Sequence, residues 1–336
     1  FLVIPDPSGA TLGNTVYYGI VLCLFYSAYT LTMVTYYATF TEIVETEEQR
    51  SFISNVKSVC DIVYFIIGFV AGRAMLNGMN VRPVALIVLP LACTMLIPLF
   101  MIKEHSNLEG EKVTVKTVGL FSSLRHTLRN RTYVIWMVVY FFMTFGLQLF
   151  LGGINEYFSF TGMNMIYIMM AAFAPVPLTL WLYNKIMRRW GFGVAFRYIL
   201  VVFSVCMLGT FGASLLDDPA KNVAAILGGV VCSFAIGALF AVAYSVPSQL
   251  AAEEEERTGI SNSAMYFAVQ GLFSGVASGI ATGIVLVALK GTEENPSNGI
   301  FYMTPIAAVG TLVALVCTVF LPKSILKMGK KDQNNK

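Results

Sequence analysis

Tyr37-Ala-Thr-Phe-Thr-Glu-Ile-Val-Glu-Thr-Glu47-Glu-Gln-Arg50-Ser-Phe-Ile-Ser54-Asn55 returns 207 positions later as Tyr244-Ser-Val-Pro-Ser-Gln-Leu-Ala-Ala-Glu-Glu254-Glu-Glu-Arg257-Thr-Gly-Ile-Ser261-Asn262. At that fixed offset Tyr37, Glu47, Glu48, Arg50, Ile53, Ser54 and Asn55 meet Tyr244, Glu254, Glu255, Arg257, Ile260, Ser261 and Asn262. The register continues into the next apolar segment, where Gly68 and Gly72 fall on Gly275 and Gly279. Each copy therefore reads as an apolar helix, an acidic loop closed by arginine, a Ser-Asn pair and a glycine-dotted apolar helix. A membrane bundle made of two parallel halves repeats itself in this way.

Composition places the repeat in a bilayer. Of 336 residues 57% are hydrophobic and 12% charged, and mean hydropathy is +0.71, more apolar surface than a soluble core can bury. The six cysteines, Cys23, Cys60, Cys93, Cys206, Cys232 and Cys317, sit in apolar runs without metal-type spacing and read as small core residues. Both histidines, His105 and His126, lie in one polar loop, so neither a Ser/His/Asp set nor a zinc site assembles within the membrane. No Gly-rich phosphate loop is present either. These features argue against an enzyme and against a nucleic-acid partner.

Nine segments are apolar enough to span a hydrocarbon layer of roughly 30 Å, which takes about 20 helical residues. They cover 14–40, 57–76, 83–102, 132–156, 163–182, 194–216, 223–250, 264–289 and 299–321. The intervening stretches 41–57, 103–131, 183–197 and 251–263, with the tail from Pro322, hold 18 of the 22 Lys and Arg. By the positive-inside rule that side is cytoplasmic, which puts the C-terminus inside; the expected location of this multi-pass protein is the plasma (inner) membrane. The acidic loop follows the first helix of the first copy but the fourth helix of the second half. The expectation is an all-α, polytopic transmembrane helical bundle, nine helices standing for positions four to twelve of a twelve-helix fold, with three helices missing before Phe1. Its parts are 1–102, the end of the first six-helix half; 103–131, a cytoplasmic linker; 132–321, the second half; and 322–336, a cytoplasmic tail. A true nine-helix protein is the competing reading.

The repeated loops carry a family resemblance. Phe25-Tyr-Ser-Ala-Tyr-Thr30, the loop ending Glu-Glu-Gln-Arg50 with Lys57 seven residues on, and Pro247 to Met265 with its Glu-Glu-Glu-Glu-Arg257-Thr-Gly run resemble the glycoside-pentoside-hexuronide:cation symporters, the melibiose-permease branch of the major facilitator superfamily. The resemblance covers essentially the whole chain. It implies alternating access and uptake of a sugar or similar polar solute coupled to sodium or protons, by a monomer without a resident cofactor. In that family carboxylates on the second helix hold the cation, and that helix lies among the missing ones. A further acidic position on the fourth helix falls here on Met33, which weakens a galactoside assignment. The loop Leu182-Tyr-Asn-Lys-Ile-Met-Arg188-Arg189-Trp-Gly191 occupies the place of the superfamily's basic loop but lacks its usual Asp.

Few ionisable groups fall within the apolar segments, where each costs about 2.5–3.5 kcal/mol on insertion scales. Lys57 and Asp61 are four apart, on one helix face and within salt-bridge reach, and Lys57 matches a family arginine implicated in sugar contact. Their repeat counterparts, Ala264 and Ala268, are uncharged, so the pair belongs to one half only. An interfacial ion pair with Lys57 snorkelling to water is the bland alternative. Tyr26, Tyr29, Met33, Tyr36, Tyr37 and Phe40 form one helical face of rings able to stack on the C–H faces of a sugar, and the resemblance puts Tyr37 at a sugar-packing position, with Tyr244 its repeat mate. Membrane-belt and packing roles explain such tyrosines equally well. Tyr140, Thr144, Gln148 and Asn155 share one side of the seventh helix, with Glu156 beside them and Gln148 the deepest. On the eleventh, Tyr266, Gln270, Ser274, Ser278 and Thr282 recur at every fourth position beside a glycine stripe at 271, 275, 279 and 283. That stripe is expected to admit a close neighbouring backbone.

The expected solute-binding set is thus Lys57, Asp61, Tyr29, Tyr37, Gln148, Asn155, Tyr244 and Gln270. Glu47, Arg50, Glu254 and Arg257 are expected to gate the cavity by pairing across the halves, solvated loop charge being the alternative. The expected partners are the lipid bilayer and a small polar solute. Two other functions remain open at this point: transport of an amphiphilic or lipid-like solute, and a transport-dead membrane scaffold or sensor.

Overall fold

The computed structural model describes residues 11–43, 46–76, scattered positions between 83 and 97, 119–258, 262–291 and 297–329. Helix is 91% of it, strands are absent among the described residues, and eight helices are long and apolar enough to cross a membrane. The predicted segment 83–102 lies largely outside the described residues. By contacts the chain divides into two units, 1–36 with 63–117, and 37–62 with 118–336. The boundary falls inside two helices, α1 (Leu12–Ile43) and α2 (Glu47–Leu76).

In the first unit α1 keeps Phe25, Tyr26, Tyr29 and Tyr36 exposed, with the Phe25 and Tyr29 rings stacked 6.2 Å apart. Thr32 and Thr35 donate their hydroxyls back to Ala28 O and Leu31 O, which hides two polar groups within the helix.

The second unit is built on α4 (Arg131–Thr161), preceded by a ten-residue amphipathic helix α3 (Leu120–Arg129). Asn130 joins them. Its side chain accepts the Tyr133 N–H at 3.3 Å, a helix N-cap, and Gly162 at φ 70° ends α4. The next span is broken. Pro175 lacks an N–H and divides it into α5 (Met165–Phe173) and α6 (Val176–Trp190). Only Gly191, at φ 89° and ψ 164°, separates α6 from α7 (Phe192–Ser214). Then come α8 (Ala220–Thr258), 39 residues with Pro247 inside; α9 (Ser263–Ser278), continued by a π-helical stretch Gly279–Val285 and α10 (Leu286–Lys290); α11 (Met303–Cys317); and α12 (Lys323–Lys327).

Three expectations about loops are corrected here. Most of 41–57 is the start of α2, 251–258 is the end of α8, and 183–197 is helix on either side of Gly191. The polar residues of these stretches extend the helices past the apolar segments because Glu, Gln, Lys and Arg are good helix formers. The tail is docked as well: Phe192 N–H donates to Met328 O at 3.0 Å, and a Cβ on Gly191 would meet Leu326 O at 2.9 Å.

In lipid, apolar burial between helices gains little, so packing and interhelical hydrogen bonds hold the bundle. Trp136, Phe192 and Phe196 form a buried aromatic cluster, the two phenylalanine rings stacked at 5.2 Å and Trp136 5.5 Å from Phe196. Ser204 and Thr311 share a buried 2.7 Å bond between α7 and α11, and Ser58 on α2 donates to Gly237 O on α8 at 2.6 Å. A close approach joins α4 and α11, where a Cβ on Gly146 would meet Ala307 O at 2.7 Å. The stripe Gly271, Gly275, Gly279 and Gly283 does not play that part. Nothing among the described residues lies within 4 Å of a Cβ built on any of them, and Gly279 and Gly283 fall in the π-helical stretch.

Candidate functional site

Within the second unit, the end of α1, the first half of α2, and α8 and α9 bring a charged pair against three rings. Lys57 Nζ lies 2.7 Å and 2.9 Å from the two oxygens of Asp61. The side chains are 20% and 29% exposed, so the pair is sheltered without being sealed. The ammonium also sits 3.6 Å from the centroid of Tyr244 and 5.4 Å from that of Tyr37. Those tyrosines are repeat mates, 207 positions apart, and here they meet. Their hydroxyls are 3.3 Å apart, their ring centroids 5.0 Å, and Phe267 continues the aromatic wall 5.5 Å from Tyr37. A lysine held by a carboxylate on one side and a ring face on another gains both Coulomb and cation–π attraction while partly desolvated.

Behind this cluster lies a polar strip. Tyr140 on α4 is within interaction distance of Thr144, Gln270 and Ser274, and Tyr244 feels Tyr140 in turn. Gln270 is 5% exposed, its Nε2 donates to Ala243 O at 2.6 Å, and its Oε1 is buried without a hydrogen-bond partner. An amide so arranged presents an unfilled acceptor, and such a group in a native core asks for a ligand or water. Gln148 and Asn155 follow Tyr140 on α4 by 8 and 15 residues, about 12 and 22 Å along the axis. Both are half-buried. Asn155 belongs to the other end of the helix, where its neighbour Glu156 pairs with Lys290. Tyr29 belongs to the first unit.

The acidic motifs separate in role. Arg50 donates to Gln249 Oε1 at 2.7 Å, a bond from α2 to α8. Glu254, 4% exposed, takes Arg257 at 2.7 Å, His126 at 3.5 Å and the Asn130 amide at 3.3 Å, all of them outside 37–62. The Glu47 side chain lies outside the described residues. An ion pair from the first acidic motif to the later chain is made instead by Glu48 and Arg188, at 2.7 Å. Sequence reasoning named Glu48 and Arg188 but did not pair them, and it passed over Asn130. Asn130 carried a usable signal, an N-cap residue directly before an apolar run, whereas the Glu48–Arg188 pairing spans 140 positions and has no local signature.

A small cavity of about 40 Å³ opens beside Arg50, lined by Ser54, Tyr183, Ser245, Gln249 and Met328. Among the described residues no group of three or more His, Cys, Asp or Glu gathers as a metal site.

No curated protein matches this chain. The family model described as MFS/sugar transport protein matches residues 1–322 of the 336, and the chain belongs to that family of sugar transporters.

Proposed function

We propose that the protein takes up a sugar, glycoside or similar polar solute by alternating access, driven by a sodium or proton gradient, and that the Lys57–Asp61–Tyr37–Tyr244 cluster contacts the solute. Family membership supports a sugar-like cargo. The observation that carries the site is the Lys57–Asp61 pair against the Tyr244 ring. A pyranose offers hydroxyls that a paired ammonium and carboxylate can bind together, and C–H faces that stack on a tyrosine. The open Gln270 acceptor and Gln148 supply further hydroxyl partners along the same side of the bundle. The coupling cation has no seat of its own in this cluster as described, because both Asp61 oxygens are engaged by Lys57. The cation drive rests on the family resemblance.

Glu48–Arg188 and Arg50–Gln249 act in this proposal as gating contacts, made when the halves close at this end and broken when they part. The exposed Glu48–Arg188 pair is worth about 0–1 kcal/mol, weak enough to exchange at each cycle.

Uptake of labelled monosaccharides and glycosides into proteoliposomes, with and without imposed sodium or proton gradients, tests the function. Lys57→Ala alone strands Asp61 and is expected to lose both yield and uptake. Lys57→Ala with Asp61→Ala removes the pair as a unit, and is expected to restore yield while uptake stays at the level of empty vesicles. Wild-type uptake by the double variant would remove the pair from the site, and absence of gradient-driven uptake of every sugar by the wild type would remove the function.

A further inference from the structure

Helix α3 is an amphipathic piece with no place in the transport cluster. Its ten residues, Leu120-Phe-Ser-Ser-Leu-Arg-His-Thr-Leu-Arg129, sort by helical angle into two sectors. Ser123 and Thr127 are buried on the packing side, and His126 on that side reaches toward Glu254. The opposite sector is exposed and runs from Leu128 and Phe121 to Arg125 and Arg129, apolar side chains next to cationic ones. Phe121 is 83% exposed and Leu128 43%. Arg131, one residue past the Asn130 cap, is exposed as well. Among the described residues Arg125, Arg129 and Arg131 form no ion pair, and the sequence from Lys112 to Asn155 contains no acidic residue.

The position of this face is constrained. Asn130 ends α3 and caps α4, whose membrane-length span begins at Arg131, so α3 leaves the bundle at the level of the membrane surface. The joint is braced, since the Asn130 amide donates to Tyr266 Oη at 2.8 Å and to Glu254 Oε2 at 3.3 Å. The carboxylate of Glu254 is committed to Asn130, His126 and Arg257 on the packing side and leaves the exposed arginines uncompensated.

We propose that α3 lies in the plane of the adjoining leaflet and binds anionic phospholipid, with Phe121 and Leu128 at the acyl–headgroup boundary and Arg125, Arg129 and Arg131 on the phosphates. Apolar residues beside arginines on one exposed helix face are the pattern of interfacial helices. Arginine supplies paired N–H donors that match a phosphate diester. The occupant is a bilayer lipid because the site is tethered at bilayer depth and half of it is apolar, which a free phosphate would leave unfilled.

The test places the whole chain in nanodiscs of phosphatidylcholine containing a rising fraction of phosphatidylglycerol. The emission that Phe121→Trp adds to the wild-type spectrum is followed with acrylamide and with bromine-labelled acyl chains as quenchers. Expected are a blue shift, protection from acrylamide and stronger quenching by the brominated lipid as phosphatidylglycerol rises, all reduced by high salt. Surface arginines contribute about fivefold each to such binding. Arg125→Gln should therefore raise the phosphatidylglycerol fraction at half-effect about fivefold, Arg125→Gln with Arg129→Gln should abolish the dependence, and Ser122→Arg should lower that fraction. Emission and quenching that ignore phosphatidylglycerol, or a dependence that survives loss of both arginines, would overturn the proposal in favour of another occupant such as an acidic protein segment. Inorganic phosphate in place of the lipid is expected to give no shift; a full shift would equally overturn it.

Discussion

At the scale of single residues the informative fact is that Tyr37 and Tyr244, equivalent positions of the repeat, touch each other. If the protein works by the alternating access proposed above, a contact between equivalent positions of the repeat belongs to one state of that cycle. Lys57 adds to that pair through the Tyr244 ring face. Cation–π attraction of about 0.5–2 kcal/mol corresponds to roughly 2- to 30-fold in rate or affinity. Tyr244→Phe keeps the ring and loses only the hydroxyl contact, whereas Tyr244→Leu loses both. Initial uptake rates across a range of solute concentrations should therefore fall further for Tyr244→Leu by about 2- to 30-fold in kcat/KM. Equal effects of the two variants would mean that Lys57 draws nothing from the ring during transport.

At the scale of elements, Gly191 is the junction on which α6, α7 and the α12 tail converge. Its φ of 89° and ψ of 164° lie in a region open essentially to glycine alone, and Leu326 O occupies the space a Cβ would need. Such a backbone costs a non-glycine residue about 1–3 kcal/mol. Gly191→Ala is expected to lower the thermal midpoint of the purified protein and to expose the tail to protease. Gly119→Ala, before α3 where nothing lies within 4 Å of a built Cβ, is expected to leave both unchanged. A midpoint for Gly191→Ala equal to that of the wild type would show that the tail can shift to make room. The same elements explain how far periodicity could be read. The apolar runs of α4, α7 and α8 were legible because their lengths match a bilayer. Their polar extensions were not, because charged residues in a helix and in a loop share the same composition.

At the scale of the molecule, Glu48–Arg188 and Arg50–Gln249 tie the segment 37–62 to α6 and α8. Both side chains of the ion pair are about half exposed or more. A double-mutant cycle on unfolding with Glu48→Ala and Arg188→Ala is expected to give a coupling of about 0–1 kcal/mol. A much larger coupling would make the pair a structural clamp instead of a contact that exchanges. Swapping the charges, Glu48→Arg with Arg188→Glu, is expected to recover uptake that either single reversal lowers.

The amino-acid order by itself determined the class and showed the repeat: mean hydropathy and run length require membrane helices, and nine identities recur at one offset, 207. It also placed Lys57 beside Asp61, because four residues on a helix are neighbours whatever surrounds them. Only the tertiary structure decided what that pair faces, which arginine Glu48 meets, and that Asn155 sits a helix length from the cluster. It also gave the close-packing role to Gly146 and Gly310 and withheld it from the stripe in α9. Each of those facts depends on residues far apart in the chain, and helix spacing carries no information about which face of one helix is presented to another.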